Sequence, residues 1–243
     1  MAYQEFAEIY DRLMTEDINY EKWYNFIKNV YNKNNINPNT ILEMACGTGN
    51  LTKHFAEDNY NMTCFDLSED MLSIAYKKLR KYKNVSIRHM DMRNFKFNKK
   101  FDSIISICDS INYIIDKEDL KKVFLNVYNH LQNDGIFIFD INSYYKLSKV
   151  IGDNTFVYDK DDVFYIWENT FEDNIANFYL TFFVNGDGMY KRFDEFHQER
   201  AYQEKEIKEL LKEIGFTKIL VYDGLSQELP NDQSTRLNFL VIK

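Results

Sequence analysis

The sequence Ile41-Leu42-Glu43-Met44-Ala45-Cys46-Gly47-Thr48-Gly49 is a short apolar run that stops at a turn of small residues. An amphipathic segment with Leu51 and Phe55 on one face follows directly. Small side chains at positions 45, 47 and 49 allow a ligand to approach the backbone, and a helix start offers unpaired N–H groups to an anion. The stretch predicts a strand, a tight turn and a helix, with the turn either binding a ligand or serving the fold alone.

Strand and helix patterns continue to alternate as far as residue 141. Further apolar runs predict strands at Met62–Leu67, Val85–Met90, Phe101–Ile107 and Ile136–Ile141. Helical patterns lie between them, one with Ser68 as its N-cap and another at Asp119–Leu131. Strands that are apolar throughout and separated by helices are typical of a parallel sheet covered on both faces.

The regions on either side of this alternation have other patterns. Two amphipathic helices precede it, with apolar stripes at Phe6–Leu13 and Trp23–Tyr31. Three segments of strand composition follow it, at Val163–Phe171, Asn177–Val184 and Met189–Ala201. Hairpin turns at Asp173-Asn174 and Asn185–Gly188 separate them. A helix ending at Gly215 and strands at Thr217–Tyr222 and Leu237–Ile242 follow. The chain is therefore predicted to have an α/β domain of residues 1–141 and 201–243, interrupted by an antiparallel β domain at 142–200.

Composition and charge exclude several functional classes. The chain has 30 Lys and Arg and 38 Asp and Glu, and its net charge of −8 argues against a nucleic acid backbone as the main partner. Cys46, Cys64 and Cys108 form no CxxC pair, which is typical of a reduced, intracellular protein. No apolar run approaches the ~18 residues of a membrane span, and the N-terminus is acidic where a signal peptide is basic. We therefore expect a cytoplasmic protein without a membrane partner.

Asp66 is the second candidate site residue, because it ends the second predicted strand. In an open parallel sheet, ligands bind beyond the carboxyl ends of the strands. A carboxylate there can accept hydrogen bonds from two ribose hydroxyls, although it can also cap the following helix. A dinucleotide site has the pattern G-x-G-x-x-G, but Thr52 occupies its third position here. Thr52 therefore argues against a nicotinamide-dependent oxidoreductase, which we keep as a second hypothesis.

Residues 41–49 resemble the glycine-rich first motif of class I S-adenosylmethionine-dependent methyltransferases. Asp66, Asp91-Met92 and the Phe101–Ile107 strand fall where the later motifs of that family lie. The opening Tyr3…Phe6-Ala7…Tyr10-Asp11 and the inserted sheet are similar to the two-domain small-molecule branch, which includes aminosugar N-methyltransferases. The resemblance implies an α/β fold with a doubly wound, mostly parallel seven-stranded Rossmann-like sheet and a small inserted antiparallel β domain. The family often has glycine at the position of Ala45, and we expect only a slightly tighter fit there.

The resemblance also implies S-adenosylmethionine as cofactor. The residues implied to bind it are Tyr3, Tyr10, Trp23, Glu43, Ala45, Gly47, Gly49, Asp66, Leu67, Met71, Asp91, Met92 and Cys108. Of these, the two glycines would lie against the methionine part, with Glu43 shaping the loop. Asp66 would hold the ribose, and Leu67, Met71, Asp91 and Met92 would contact the adenine. The three aromatic residues would belong to N-terminal helices that close over the cofactor, although Tyr10 and Trp23 also suit plain core packing.

The acceptor side carries fewer signals. The segment Cys108–Tyr113 follows the fourth strand and lacks the Pro-Pro-aromatic pattern of family members that methylate nucleic acid bases. Cys108 suits a buried packing role better than that of a nucleophile. In the last inserted strand, strict alternation places Glu195, His197 and Glu199 on one face. His197 with Glu195 is a candidate proton acceptor, the alternative being a surface histidine or one with satisfied hydrogen bonds.

The sequence thus predicts methyl transfer to a small polar metabolite, at nitrogen or oxygen, by in-line displacement. The inserted sheet would act as a lid that selects the acceptor. An RNA- or protein-directed methyltransferase and a non-catalytic cofactor-binding module are the alternatives. No metal-ligand spacing is visible among the histidines and cysteines, and nothing in the sequence fixes an oligomeric state.

Overall fold

The computed structural model describes residues 2–160, 162–186 and 188–243, and for residues 2–8 and 10 it describes the backbone alone. The elements of the first part are α1 (Ala2–Asp17), α2 (Tyr20–Lys33), β1 (Thr40–Met44), α3 (Asn50–Glu57), β2 (Asn61–Asp66), α4 (Glu69–Leu79), β3 (Val85–His89), β4 (Phe101–Ser106), α5 (Lys117–His130) and β5 (Leu131–Asn142). Then come β6 (Thr155–Lys160), β7 (Val163–Glu172), β8 (Ile175–Gly186), β9 (Met189–Arg200), α6 (Glu204–Ile214), β10 (Lys218–Asp223) and β11 (Arg236–Ile242). Among these described residues, no helix combines the length and the hydropathy needed to span a bilayer.

Seven strands form the large sheet, in the order β10-β11-β5-β4-β1-β2-β3. β11 runs antiparallel to both of its neighbours, and the other adjacent pairs are parallel. From β1 the chain builds the sheet outward to β3, and then returns to the other side of β1 with β4. The strand order therefore reverses between β1 and β4, which is where open α/β sheets bind ligands. The predicted doubly wound, mostly parallel seven-stranded sheet is confirmed.

Alternate residues of the central strands pack on opposite faces of the large sheet. Leu42 and Ile104 belong to the core that α5 and α6 cover, whereas Ile41 and Ile105 belong to the core that α2 and α3 cover. Since side chains alternate along a strand, a strand covered on both sides must be apolar at every position. This double burial explains why the sequence contains continuous apolar runs here.

Four antiparallel strands form the small sheet, in the order β6-β7-β8-β9. Asp173 and Asn174 have φ of 52° and 63°, as a two-residue hairpin turn requires. Asp187, in the predicted Asn185–Gly188 turn, lies outside the described residues. The sequence did not predict β6, because this edge strand is mostly exposed on both faces and has no apolar alternation. That residues 142–200 form a separate domain stays a prediction.

A π-helical segment, Lys146–Ile151, connects β5 to the small sheet. Sequence patterns did not predict this segment. Leu147 and Ile151 are buried with Ala176 and Phe178 of β8, so they attach the small sheet to the end of β5. π-helical turns are rare and occur frequently at functional sites.

Candidate functional site

A cavity of about 1000 Å³ lies at the carboxyl ends of β1, β2, β4 and β5, between the large sheet, α1 and the inner face of the small sheet. We call the part lined by residues 43–48, 66–71 and 90–93 the loop half. The part lined by residues 142–199 is the sheet half, where aromatic side chains of β7 and β8 form the wall. The cavity is continuous between the two halves, so ligands in them can touch each other.

The turn after β1 has three residues in the left-handed region: Ala45 (φ 51°), Gly47 (φ 52°) and Gly49 (φ 78°). Gly47 lines the cavity, and a Cβ atom added to it would meet nothing within 4 Å. Gly49 does not line the cavity. A Cβ atom there would lie 2.7 Å from Leu79 Cδ1 and 3.3 Å from Ala75 Cβ. The structure thus places Gly49 against α4 and not, as the resemblance implied, against a ligand.

Ala45 lines the cavity. The family often has glycine at this position, and the left-handed backbone conformation explains why. A left-handed φ costs an L-residue with a Cβ atom roughly 1–2 kcal/mol relative to glycine. The expectation of a slightly tighter fit to the ligand therefore missed the main effect, which is local strain in the turn.

Asp66 faces the turn and lines the cavity. Its Oδ2 accepts the Gly47 N–H at 2.7 Å, and its Oδ1 accepts the Ser68 N–H at 2.9 Å. Burial raises the pKa of Asp66, and these backbone hydrogen bonds oppose that change. Ser68 also caps α4 by accepting the Met71 N–H, as predicted. Asp66 therefore fixes the turn, and its carboxylate oxygens keep further lone pairs for a ligand.

Glu43 is buried and lines the cavity below the turn. Burial raises its pKa to about 8, so the carboxyl is mostly protonated at neutral pH. The hydroxyl of Thr52 donates a hydrogen bond to Glu43 Oε2. Thr52, which interrupts the dinucleotide fingerprint, thus holds an acidic side chain of the site.

The other non-aromatic residues implied to bind the cofactor also line the cavity: Leu67, Met71, Asp91, Met92 and Cys108. Leu67 is 60% exposed, so its side chain forms part of the rim. Asp91 accepts hydrogen bonds from Arg93 Nε at 2.9–3.0 Å, and Arg93 lowers the pKa of this carboxylate. Burial raises the pKa of the Cys108 thiol well above its usual value, which agrees with a packing role.

The aromatic residues expected over the site have two outcomes. Trp23 does not line the cavity. It is 4% exposed and packs edge-on against Phe26, with the Arg236 guanidinium 6.0 Å from its ring centre. It is therefore a core residue. The side chains of Tyr3 and Tyr10 lie outside the described residues. Among the N-terminal residues whose side chains are described, Leu13, Met14, Asp17, Ile18 and Tyr20 line the cavity.

His197 lines the sheet half, and Glu195 does not. His197 Nε2 lies 3.9 Å from Glu195 Oε2, which is too long for a hydrogen bond. Burial lowers the pKa of His197 and raises that of Glu195. The imidazole is therefore neutral at pH 7 and faces the cavity, so it can accept a proton there.

Glu199 is the carboxyl of this face that does line the cavity, and sequence reasoning gave it no role. It is buried, and its Oε2 accepts a hydrogen bond from Asn142 Nδ2 at 2.8 Å. Asn142 Oδ1 in turn accepts from Lys146 Nζ at 2.8 Å. Burial raises the pKa of Glu199 well above its usual value. The predicted alternation already placed Glu199 beside His197, whereas the link to Lys146 depends on the unpredicted π-helical segment.

An ion cluster holds the segment after β4, and sequence reasoning missed it. Arg236 Nη2 donates to Asp109 Oδ1 at 2.9 Å, and Nη1 donates to the buried Asp140. Asp140 Oδ2 also accepts the Asp109 N–H at 3.0 Å. These bonds join residues far apart in the chain and fix Cys108 and Asp109 in left-handed conformations beside the cavity. Among the described residues, no group of His, Cys, Asp and Glu is placed to hold a metal ion.

Comparisons with known proteins agree with this geometry. The sequence model of the methyltransferase domain matches residues 41–135. The chain is 35% identical to YqeM of Bacillus subtilis, a protein assigned as a methyltransferase, over 98% of this chain and 96% of YqeM. The crystal structure of an S-adenosylmethionine-dependent methyltransferase from Clostridium acetobutylicum is 46% identical, with a TM-score of 0.91 over 100% of this chain and 99% of that one. A dTDP-3-amino-3,4,6-trideoxy-alpha-D-glucopyranose N,N-dimethyltransferase of Streptomyces venezuelae is 31% identical over 41% of this chain and 40% of its own.

Three features define a class I methyltransferase fold: the strand order with a reversed β11, the glycine turn after β1 and the aspartate that ends β2. The chain belongs to the S-adenosylmethionine-dependent methyltransferases, and S-adenosylmethionine is its cofactor.

The loop half fits this cofactor. Gly47 leaves space where a side chain would project, and the Asp66 carboxylate reaches the same wall. The N-terminus of α3 follows the turn directly and suits a carboxylate. The cofactor has one carboxylate and no phosphates, so one short turn and one helix start are sufficient.

Proposed function

We propose that this methyltransferase acts on a small polar metabolite held in the sheet half of the cavity. The observation that carries the proposal is the single cavity that joins the loop half to a pocket enclosed by α1 and the small sheet. About 1000 Å³ is at the upper end of the usual volume of a small-molecule site. A cofactor and a small acceptor can therefore occupy it together.

The cofactor roles in the loop half are part of this proposal. Asp66 would bind the ribose hydroxyls, and Gly47 with Ala45 would lie against the methionine part. Leu67, Met71 and Met92 would border the adenine, and Asp91 would contact its edge. S-adenosylmethionine supplies an activated methyl group when it is bound. The protein's own task is then to align the acceptor in line with that group and to exclude water.

His197 would accept the proton that an amine or hydroxyl acceptor has to lose. Its side chain lines the sheet half, and its lowered pKa keeps it neutral at pH 7. Glu195, 3.9 Å away, would stabilise the imidazolium without a direct hydrogen bond. Such proton acceptors typically contribute 10²–10⁴-fold to a rate.

An RNA- or protein-directed methyltransferase is the alternative. The net charge of −8 disfavours binding to an RNA backbone. Aromatic side chains of the small sheet line the sheet half. A non-catalytic cofactor-binding module would need no proton acceptor in its cavity, so the position of His197 favours an enzyme. The nitrogen-directed sugar methyltransferase among the relatives supports a metabolite acceptor, although its match covers only 41% of this chain.

The decisive experiment follows a labelled methyl group from S-adenosylmethionine into size-fractionated cell extract. We expect the label in the low-molecular-weight fraction, and expect its incorporation to persist after ribonuclease and protease treatment. Label confined to RNA or protein would overturn the metabolite proposal. Cofactor binding without transfer to any fraction would favour the non-catalytic module.

A further inference from the structure

One carboxylate of α1 connects this helix to the turn of the cofactor site. Asp11 Oδ1 accepts hydrogen bonds from Thr48 Oγ1 at 2.5 Å, Asn50 Nδ2 at 3.0 Å and Lys78 Nζ at 2.6 Å. Thr48 lies in the turn and lines the cavity, Asn50 begins α3, and Lys78 lies near the end of α4. Asp11 therefore joins α1 to the turn, to α3 and to α4.

The three donors also bind one another. Lys78 Nζ donates to Asn50 Oδ1 at 2.6 Å and to Thr48 Oγ1 at 3.3 Å. The side chains of Asp11 and Lys78 are 20% and 25% exposed. Burial raises the pKa of Asp11, but the bonds from Lys78, Thr48 and Asn50 lower it by more. An ion pair in such partly buried, multiply bonded surroundings is stronger than an isolated surface pair.

The residues of α1 that follow Asp11 form a wall of the cavity. Leu13, Met14 and Asp17 line it, and Asp11 itself does not. The other side of the helix is tied to the small sheet by exposed ion pairs, Arg12 with Asp162 at 2.9 Å and Glu16 with Lys160 at 2.8 Å. The bonds of Asp11 therefore set how close this wall lies to the turn at residues 45–49.

We propose that Asp11 is a positioning residue that holds α1 against the cofactor turn and thereby retains the bound cofactor. It acts through Thr48 and Asn50 without touching the cofactor. When a wall closes over a ligand after binding, a weaker closure accelerates dissociation more than it slows association. Loss of the Asp11 carboxylate therefore shortens the residence time of the cofactor. The proposal concerns the cofactor alone and is independent of the identity of the acceptor.

The test measures the release of labelled S-adenosylhomocysteine, chased with an excess of the unlabelled compound. We expect release about tenfold faster from D11N, because the charge that attracts Lys78 is lost. K78M breaks the same link from the other side and should have a similar effect, whereas K78R keeps the cation and should release at close to the wild-type rate. The association rate should change less than twofold in all three variants.

D58N is the matched control. Asp58 accepts a hydrogen bond from Lys28 at 3.0 Å and another from Tyr24, and it lies away from the cavity. A general loss of stability would lower the melting temperature of D11N and D58N alike and leave both release rates equal. Equal rates in these two variants, or a wild-type rate in K78M, would overturn the proposal. Because the assay contains no acceptor, failure of the metabolite proposal would not change its result.

Discussion

The turn in the loop half of the cavity is shaped by left-handed residues and by backbone N–H groups that Asp66 binds, whereas the sheet half is held by bonds between buried side chains. Asp66 binds two backbone N–H groups, that of Ser68 two residues on and that of Gly47 in the turn after the neighbouring strand β1. In the sheet half, Glu199 reaches Asn142 and then Lys146 across elements that are far apart in sequence. The conformation of the turn thus depends on backbone geometry, and the sheet half depends on how the small sheet docks.

This difference implies that the two halves can be altered separately. Side chains of the sheet half can change without moving the turn that is proposed to bind the cofactor. A substitution in either half should therefore leave the function of the other half intact.

The largest effect is expected for D66A. The substitution removes the carboxylate proposed to bind the ribose and leaves the N–H groups of Gly47 and Ser68 without their acceptor. Two hydrogen bonds to a charged group are worth roughly 3–6 kcal/mol together, so we expect about a thousandfold weaker binding of S-adenosylhomocysteine. Titration calorimetry measures this directly. A dissociation constant within threefold of wild type would remove Asp66 from the cofactor site.

The second prediction concerns the other half. H197Q should lower the rate of methyl transfer about a hundredfold and leave the affinity for S-adenosylhomocysteine unchanged. The lowered pKa of His197 adds a pH signature. Wild-type activity should hold at neutral pH and fall as the pH drops through a value below 6.5, because the imidazole then becomes protonated. H197Q should lose that dependence. A variant that is slow but keeps the same pH profile would point to a structural role for His197.

The sequence predicted the loop half well because its determinants are local. The apolar run Ile41–Met44, the small residues of the turn and Asp66 at a strand end each indicate their structure from a few neighbouring residues. Ser68 capped α4 as expected for the same reason. Gly49 shows the limit of such reasoning, because its close contact with Leu79 appears only when α4 packs on the turn.

The sheet half was predicted less well because its contacts depend on docking and register. Alternation placed His197, Glu195 and Glu199 on one face, but could not tell which of the two glutamates lines the cavity. In the structure Glu199 pairs with Ala176, a small residue beside the buried π-helical segment, whereas Glu195 pairs with Leu180. The depth at which each carboxyl lies is set by that docking, which no local pattern records.

The third prediction separates the two glycines of the turn. G49A should lower the free energy of unfolding by about 2 kcal/mol, because alanine there has an unfavourable φ and its Cβ atom meets Leu79 and Ala75. G47A has a similar φ but open space, so it should destabilise the fold by only about 1 kcal/mol. Its added methyl group should instead weaken cofactor binding. Urea unfolding measures the loss of stability in both variants, and calorimetry measures their affinity for the cofactor. If the two variants lost the same stability and the same affinity, the different roles of Gly47 and Gly49 would be wrong.

The smallest effect is expected for E43Q and comes from the buried acid of the loop half. Burial raises the pKa of Glu43 to about 8, so the folded protein keeps a proton that the unfolded chain releases near pH 4.5. The free energy of unfolding therefore falls as the pH rises from 4.5 to about 8. Glutamine can still accept the Thr52 hydrogen bond and cannot ionise. Because local relaxation reduces the penalty, we expect E43Q to gain only about 1 kcal/mol more relative to wild type at pH 8 than at pH 5.

Urea unfolding at the two pH values measures this gain, and E199Q is the matched variant in the sheet half. The pKa of Glu199 is also raised by burial. The free energy of unfolding of E199Q, relative to that of wild type, should therefore also rise with pH. The two variants should differ in function, because Glu199 faces the proposed acceptor pocket and Glu43 lies below the cofactor turn. Methyl transfer should therefore change in E199Q without a change in cofactor affinity. If E199Q weakened cofactor binding, the two halves would be coupled, and the separation between them would not hold.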